Sequence, residues 1–565
     1  MKKIKDILLK YWGYENFKDQ QEKVINSIIS GKNSLITIPT GAGKSLCYQL
    51  PSLIIGGTTI VISPLIALME DQVRALNKIG VSSFYFKPNS RNLTIEQQLD
   101  NCIYGNYKLI YCSPERLTDL SFLNKIAQAN IKHIAVDEAH CISEWGHEFR
   151  PSYRKIRNLI QLFPKATISA YSASANLMVK NDIIKNLELV NFNKFESSHE
   201  RKNIHYEIRY VNNKIDTLLE IITDESSIIY CNSRKSSELI SNKLSKKYIK
   251  TDYFHGGLSI KEKKEKLFKW QSEEIKTIVA TTAFGMGINK LNVRKVIHYN
   301  IPKSLENYYQ ESGRAGRDGK KSKAILLIEL NEKKLFIREN INTLPDKIDL
   351  KKVYKKLCNY LQISIGEGQG NHFNFNFDLF CSKYEFNKIT VRTILQFLEK
   401  NELIILKSIN KNTIKIHIHS NLNNLKRSIR LSTPQSKTLE TLLRFYPNII
   451  HKKTNVSIEK IVQLTNFKKK DINDHIDFYH KINLLIIDKS SSDLRLNWLK
   501  PREDNYCIDP LISKLKEINN IKIIRFKKII DFIYDNENCK TRQLLNYFGE
   551  DKIQNCGNCS STCCI

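Results

Sequence analysis

The fold class this sequence predicts is α/β: two successive parallel-sheet domains, then helical and winged-helix-like units, then a small cysteine-rich end. Three observations predict it. Up to residue 200 and again from about 205 to 340, short Ile/Val-rich runs alternate with amphipathic segments, the mark of parallel strands covered on both faces by helices. Beyond Asn342–Lys347 ("NTLPDK") helical stretches give way to short hairpin patterns, and a gap-free internal repeat appears. Five of the 13 cysteines crowd between Cys539 and Cys564, while the other eight are scattered.

The first series of strands reads "NSLITIPT", "TTIVISP", "YKLIYCSP", "IKHIAVDE" and "ATISAYSA". The second reads "SSIIYCNS", "TDYFHGG", "KTIVATTA", "VRKVIHYN" and "KAILLIEL", and the two are joined near Ser197–Asn203. The repeat aligns "FNKITVRTILQFLEKNELIIL" (Phe386–Leu406) with "FKKKDINDHIDFYHKINLLII" (Phe467–Ile487), 81 positions apart. Each copy follows two helical stretches and runs into a hairpin through "NKN" at Asn410 or "SSSD" at Ser490, the layout of a winged helix. In the first copy, helix Lys388–Lys400 carries Thr390, Arg392 and Gln396, which could touch DNA, and Ile389, Ile394 and Leu398, which could be plain core.

At 565 residues the chain exceeds a single core, and its 41% apolar content argues against wholesale disorder. A net charge of +31 favours a polyanionic partner such as nucleic acid. A Lys-, Ile- and Asn-rich composition of the kind an AT-rich genome writes accounts for the same charge. No apolar run has the length of a membrane span, and "MKKIKDILLKYWGY" lacks a signal peptide's apolar core, so a cytoplasmic protein without membrane contact and without disulfides is expected.

"IPTGAGKS" (Ile38–Ser45) lies between a strand and the helical "LCYQL". Thr40, Gly41 and Gly43 let backbone N–H groups close around phosphates, Lys44 reaches the β/γ-phosphates, and Ser45 holds Mg²⁺. Ile38 stands where the full phosphate-loop pattern has its first glycine. Asp137 and Glu138 end the strand "HIAVD"; the first suits a Mg²⁺ ligand and the second a base that polarises water for in-line attack. "QESGRAGRDG" offers Gln310, Arg314 and Arg317, the arginines being finger candidates that complete the site when two domains close. These parts make a nucleotide-driven motor.

"PTGAGKSLCYQLP", "SPLIALMEDQV", "SPERL", "VDEAHCISEWGHEFRPSY", "IIYCNSR", "ATTAFGMGIN" and "YYQESGRAGRDG" occur in an order and spacing that resemble the RecQ helicases of superfamily 2. The resemblance covers residues 1 to 340 and the C-terminal end. It implies two RecA-like motor domains, 1–200 (ATP-binding) and 201–345, and a zinc-binding subdomain at 504–565; the repeat, not the resemblance, gives winged-helix-like units at 346–430 and 431–503, and their place before the zinc motif departs from the commonest bacterial plan of the family. It implies an enzyme that unwinds DNA 3′→5′ at the expense of ATP, in repair or recombination, on single-stranded and tailed or forked DNA, in nucleoid-associated cytoplasm and with single-strand-binding protein as a possible partner.

It also assigns roles one by one. The segment after DEAH is an aromatic-rich loop that senses single-stranded DNA, so Trp145, His147, Phe149 and Arg150 become DNA contacts; bases stack on aromatic faces and Arg adds phosphate contacts. In "GYENFKDQQE", Tyr14 stacks on adenine and Gln21 hydrogen-bonds it, while Lys18 replaces the family's usual Arg and loses its planar fork. "YSASA" keeps the hydroxyls of the coupling motif as Ser172 and Ser174, and Leu291 replaces a common proline. Cys539, Cys556 and Cys559 match a structural Zn²⁺ site, and since Thr562 occupies the expected fourth place, Cys563 (or Cys564) completes it. The expected cofactors are ATP, Mg²⁺ and Zn²⁺. The rival readings are an RNA helicase, and an ATP-gated DNA-binding or strand-annealing protein that does not unwind.

Overall fold

The computed structural model describes all residues except 1, 40, 87–93, 147–148, 286–287, 289, 409–412, 420–424, 426–427, 429–432, 489–493, 552–553 and 565. The chain divides into two units: Met1–Asn342 with Ile518–Ile565, and Thr343–Glu517. The boundary at 517/518 falls inside the long helix Asp504–Tyr534.

Lobe 1 of the first unit holds seven described strands: β1 (Ser34–Thr37), β2 (Thr58–Ile62), β3 (Ser83–Tyr85), β4 (Leu109–Cys112), β5 (Ile131–Val136), β6 (Thr167–Ser172) and β7 (Asn193–Glu196). They form one sheet in the order β3-β4-β2-β5-β6-β1-β7, every pair parallel. Successive side chains fall on opposite faces. Leu35, Ile60, Ile62, Ile110, Ile134 and Val136 therefore enter one core, and Ile36, Val61, Leu109, Tyr111 and Ala135 the other. This two-sided burial is why the strands read as continuous apolar runs.

Lobe 2 repeats the plan with β8 (Ile204–Tyr210), β9 (Ser227–Tyr230), β10 (Thr251–Phe254), β11 (Thr277–Ala280), β12 (Lys295–His298) and β13 (Ser322–Ile328). Their order is β10-β11-β9-β12-β13-β8, again parallel throughout. One of its cores, around Ile228, Tyr230, Trp270 and Tyr308, also takes in Phe526, Ile529, Phe532 and Ile533 of the long helix and Cys539, Leu544 and Cys559 beyond it. The C-terminal segment is thus part of lobe 2's interior.

The unit Thr343–Glu517 contains the sequence repeat. Helices Lys388–Lys400 and Lys469–Lys481 begin and end 81 positions apart. Its strands are β14 (His372–Phe375), β15 (Ile404–Ser408), β16 (Thr413–Ile418), β17 (Thr454–Ser457), β18 (Leu485–Asp488) and β19 (Leu494–Trp498). Among the described residues, the two expected hairpins, β15 with β16 and β18 with β19, are not paired. Instead β19 lies between β14 and β15, and β16 lies between β17 and β18. The copies exchange their second wing strands, and the cores follow. Ile416 and Ile418 of β16 are buried with Leu439, Leu442, Ile472 and Ile476 of the second copy. Trp498 of β19 packs against Tyr354 of helix Lys347–Tyr360, ring centroids 5.8 Å apart. Two copies with the same alternation offer interchangeable partners, so an exchanged pairing satisfies the same apolar positions as a local one.

In the helix singled out for DNA contact, Ile394 and Leu398 are core, whereas Ile389 is 53% exposed. Arg392 and Gln396 are exposed, and the Arg392 guanidinium lies 5.2 Å from the Phe377 ring centroid.

Candidate functional site

The phosphate loop leaves β1 and turns through Gly41 (φ +88°) and Gly43 (φ +82°), left-handed conformations that side chains other than glycine rarely adopt. A Cβ on Gly43 would lie 2.5 Å from Gln21 Nε2 and displace that amide from the loop carbonyls it bonds. Lys44 is folded back on the loop, its Nζ donating to the Ile38 carbonyl at 3.3 Å. Desolvation lowers the Lys44 pKa, while the charges of Glu138 and Asp137 oppose that shift. Thr40 lies outside the described residues.

Asp137 follows β5 and is 8% exposed. Burial, reinforced by the Glu138 charge and partly offset by Lys44, raises its carboxyl pKa to about 7. Glu138 takes a left-handed conformation (φ +48°) that redirects the chain into the turn Ala139–Ile142. Its Oε2 is buried without a hydrogen-bond partner and lies 3.4 Å from His140 Nδ1. Burial, with Lys44 and Arg150 nearby, holds the His140 pKa at about 3, so the imidazole is neutral and the Glu138 charge uncompensated by it. A buried carboxylate oxygen left free beside Asp137 and Lys44 suits a metal-bound or polarised water.

Lobe 2 reaches this cleft with two of its three expected residues. Arg317 packs over the phosphate loop; a Cβ on Gly41 would lie 3.4 Å from Arg317 Cγ. Gln310 Nε2 donates to Ser174 Oγ at 2.9 Å, the Ser174 amide lies 3.4 Å from Ser172 Oγ, and Ser172 Oγ lies 3.2 Å from His140 Nδ1. A polar chain therefore runs from Glu138 in lobe 1 to Gln310 in lobe 2. Arg314 is buried and donates to the Gly285 carbonyl of its own lobe at 2.6 Å, as Arg317 does to the Ile288 carbonyl at 2.5 Å.

Of the expected base-reading residues, Gln21 is buried and accepts from the Lys18 amide at 2.9 Å while its Nε2 donates to the Ala42 and Gly43 carbonyls at 3.1 and 3.2 Å. It braces the phosphate loop directly. Tyr14 is 56% exposed and Lys18 is exposed.

In the aromatic loop, Trp145 packs partly exposed against the lobe 1 core, and Arg154 lies 5.2 Å from the Phe149 ring centroid. Arg150 donates to the Pro64 carbonyl at 2.9 Å, and His147 lies outside the described residues. Sequence reasoning missed the loop's anchor, Arg525. Its Nη1 donates to the Gly146 carbonyl at 3.2 Å, and its Nε faces the buried carboxylate of Glu306 at 3.4 Å, which also accepts from Tyr547 Oη at 2.7 Å. Arg525 sits in "IKIIRFKKII", where nothing distinguishes it from the neighbouring basic residues.

At the C-terminal end the sulfurs of Cys539, Cys556, Cys559 and Cys564 all lie within 4.8 Å of one another. Tetrahedral Zn²⁺ with bonds of about 2.3 Å puts its sulfurs about 3.8 Å apart; Cys556–Cys564 at 3.9 Å and Cys559–Cys539 at 4.0 Å fit that geometry. Of the two cysteines expected as fourth ligand, Cys564 and not Cys563 lies in this group. The turn Thr562–Cys564 leaves Cys563 exposed and puts Cys564 in the cluster.

Comparison with known proteins agrees with this layout. The DEAD/DEAH box helicase family matches residues 18–182, the helicase conserved C-terminal domain 213–319, and the RecQ zinc-binding family 503–564. ATP-dependent DNA helicase RecQ of Bacillus subtilis is 40% identical over 359 residues, 62% of this chain and 61% of the relative. RecQ of Pasteurella multocida is 42% identical over 328 residues, 57% of this chain and 52% of the relative. The chain thus spans about half to three fifths of these relatives' length. Among solved structures, the DUF1998 helicase MrfA bound to DNA shares the fold with a TM-score of 0.51 at 18% identity, covering 72% of this chain and 58% of that one. No described helix is long and apolar enough to cross a membrane. With both motor families, the RecQ zinc-binding family and relatives near 40% identity, the chain is similar to the RecQ helicases along its motor lobes and its C-terminal segment.

Proposed function

We propose that this chain is an ATP-dependent DNA helicase that tracks 3′→5′ and opens tailed or forked duplexes in repair or recombination. The observation that carries the reading is the cleft between the lobes, where Arg317 lies over Gly41 and Gln310 bonds Ser174. Nucleotide phosphates would enter the cradle of Thr40, Gly41 and Gly43, with Lys44 released from the Ile38 carbonyl to meet them. Ser45 and Asp137 would hold Mg²⁺, which neutralises phosphate charge when bound. Glu138 orients and deprotonates the attacking water, and Arg317 stabilises the charge that develops on the transferred phosphoryl group. Arg314 supports that turn from within its own lobe. Gln310 reports the lobes' approach to Glu138 through Ser174, Ser172 and His140. Tyr14, Lys18 and Gln21 receive the base.

The aromatic loop starts at the turn that bears Glu138, so single-stranded DNA on Trp145, His147, Phe149 and Arg150 acts directly on the hydrolytic machinery. The inserted unit 343–517 supplies further nucleic-acid contact, and Cys539, Cys556, Cys559 and Cys564 hold Zn²⁺. The cellular setting is nucleoid DNA in the cytoplasm, with single-strand-binding protein as a partner.

Strand separation and ATP hydrolysis on 3′-tailed, 5′-tailed and RNA duplexes test the proposal, with Glu138→Gln and Trp145→Ala beside the wild type. The expected result is opening of 3′-tailed DNA alone. Hydrolysis should fall at least ~100-fold in Glu138→Gln, while Trp145→Ala hydrolyses ATP without opening duplex. DNA-stimulated hydrolysis without strand separation by the wild type would replace helicase with an ATP-gated binding or annealing protein.

A further inference from the structure

We infer that Glu550 is a positioning residue that confines the pivot between the two lobes to the Ser197–Ser198 joint, and so fixes where the arginine turn meets the phosphate loop. The inference rests on the helicase reading for its catalytic consequence only.

The linker leaves β7 at Glu196 and enters β8 at Ile204. Its first residue belongs to lobe 1: the Ser197 amide donates to the carbonyl of Thr37, the last residue of β1 before the phosphate loop. From the next residue onward the linker is held by the other side. Ser198 Oγ donates to Glu550 Oε2 at 2.7 Å, the His199 amide donates to Glu550 Oε1 at 2.7 Å, and His199 Nδ1 lies 2.5 Å from the same oxygen. The His199 ring stacks on Phe548 with centroids 4.6 Å apart and planes 7° from parallel. Tyr309 Oη donates to the His199 carbonyl at 2.9 Å. One carboxylate thus gathers two successive linker residues. Desolvation alone would raise the Glu550 pKa, but the hydrogen bonds from His199 and Ser198 outweigh it and lower the value.

The remainder of the linker grips the arginine turn. Arg201 donates to the carbonyls of Gly313, Ala315 and Gly316 at 3.0, 3.0 and 3.2 Å. Asn203 Nδ2 donates to Gly316 and Lys320 carbonyls at 2.7 and 2.9 Å. Glu550 itself moves with lobe 2, because the segment around it is tied to β8: the Ser560 amide donates to the Tyr206 carbonyl, and Ser560 Oγ accepts from the Ile208 amide at 3.0 Å. Everything from Ser198 onward is therefore rigid with the lobe that carries Arg317, and everything up to Ser197 with the lobe that carries Gly41. Rotation of one lobe on the other is left to a single peptide joint. Without the carboxylate Ser198 loses this anchor and His199 keeps only Tyr309 Oη and the Phe548 ring, so the joint loosens by one residue and the arc swept by Arg317 broadens.

The test compares full-length wild type with Glu550→Ala, Glu550→Gln and the linker variant Ser198→Ala. Each is checked for zinc content by thiol titration with a chromogenic chelator, and for Tm. The first readout is the distance distribution between fluorophores placed by non-natural amino acids at the exposed Lys165 and Lys247, with and without a non-hydrolysable ATP analogue. The second is DNA-stimulated hydrolysis, split into kcat and KM.

Glu550→Ala is expected to keep its zinc, broaden the distance distribution, and lower kcat about tenfold with KM changed less than threefold. Glu550→Gln, whose one oxygen still accepts from the His199 amide while its NH2 can donate to Ser198 Oγ, should recover most of the loss, and Ser198→Ala should show a milder form of it. A merely structural role would lower Tm and leave the distribution and kcat of the folded fraction unchanged, which would overturn the inference. So would a wild-type distribution in a zinc-replete Glu550→Ala. If Glu550→Ala loses zinc, Ser198→Ala, remote from the cysteines in sequence, decides by the same readouts. A wild type that does not hydrolyse ATP would sink the helicase reading alone, since the distance readout judges the pivot without turnover.

Discussion

Arg525→Met should separate the stability of the motor from its coupling to DNA. The guanidinium faces the Glu306 carboxylate, whose side chain is only 1% exposed, and Arg525 itself is 13% exposed. Removing one partner of a buried ion pair strands the other charge, at a cost of roughly 3–5 kcal/mol. Tyr547 still donates to Glu306 Oε1 at 2.7 Å, which puts the expectation at the lower end. The methionine keeps most of the apolar stem, so lost packing adds little.

A loss of about 3 kcal/mol lowers the melting temperature of a domain of this size by roughly 6–12 °C. The double variant Arg525→Met/Glu306→Gln removes the stranded charge while keeping an acceptor for Tyr547, and should regain at least half of that loss. Neither variant can donate to the Gly146 carbonyl. Both should therefore show DNA-stimulated hydrolysis reduced about tenfold, the value of one charge-assisted hydrogen bond of about 1.4 kcal/mol. Thermal denaturation and hydrolysis assays at saturating single-stranded DNA measure the two effects. If the double variant melts no higher than Arg525→Met, the stranded-charge argument fails; if hydrolysis recovers with stability, the Gly146 contact has no role in coupling.

Three further outcomes follow from the geometry. Cys564→Ser should abolish stoichiometric zinc while Cys563→Ser retains it, read by metal analysis of the purified protein, because only the former sulfur joins the cluster. A Lys407→Cys/Arg495→Cys pair should form a disulfide under mild oxidation, since the two residues are directly opposed across β15 and β19, whereas Lys407→Cys/Ile414→Cys, which a local hairpin would pair, should not. His133, wholly buried between Thr59 and Ser169, has its pKa lowered by desolvation to about 3. The unfolded chain then binds the extra proton below about pH 6.5, so stability is fully present above that value and lost as pH falls. The loss attributable to this residue is about 2 kcal/mol at pH 5. Urea denaturation of wild type and His133→Gln at pH 7.5 and 5 should show that difference in slope, and parallel slopes would refute it.

What the sequence determined by itself is whatever local chemistry dictates. Near-continuous Ile/Val runs specify strands buried on both faces. Gly41 and Gly43 around a lysine specify a phosphate cradle, Asp137 and Glu138 at a strand end specify a polar turn, and cysteine spacing specifies a metal cluster to within one residue. The tertiary structure decided everything that depends on a choice among equivalent partners or on residues remote in the chain. Two wing strands of the same alternation fit either sheet, so only packing could choose the exchanged pairing. Adjacent Cys563 and Cys564 differ only in where a turn points them. Arg525 on Gly146, Glu550 on Ser198 and His199, and Gln310 on Ser174 join residues separated by 379, 352, 351 and 136 positions. Periodicity and spacing describe neighbours along the chain, and carry no term for a contact made only once both lobes and the C-terminal segment have closed on one another.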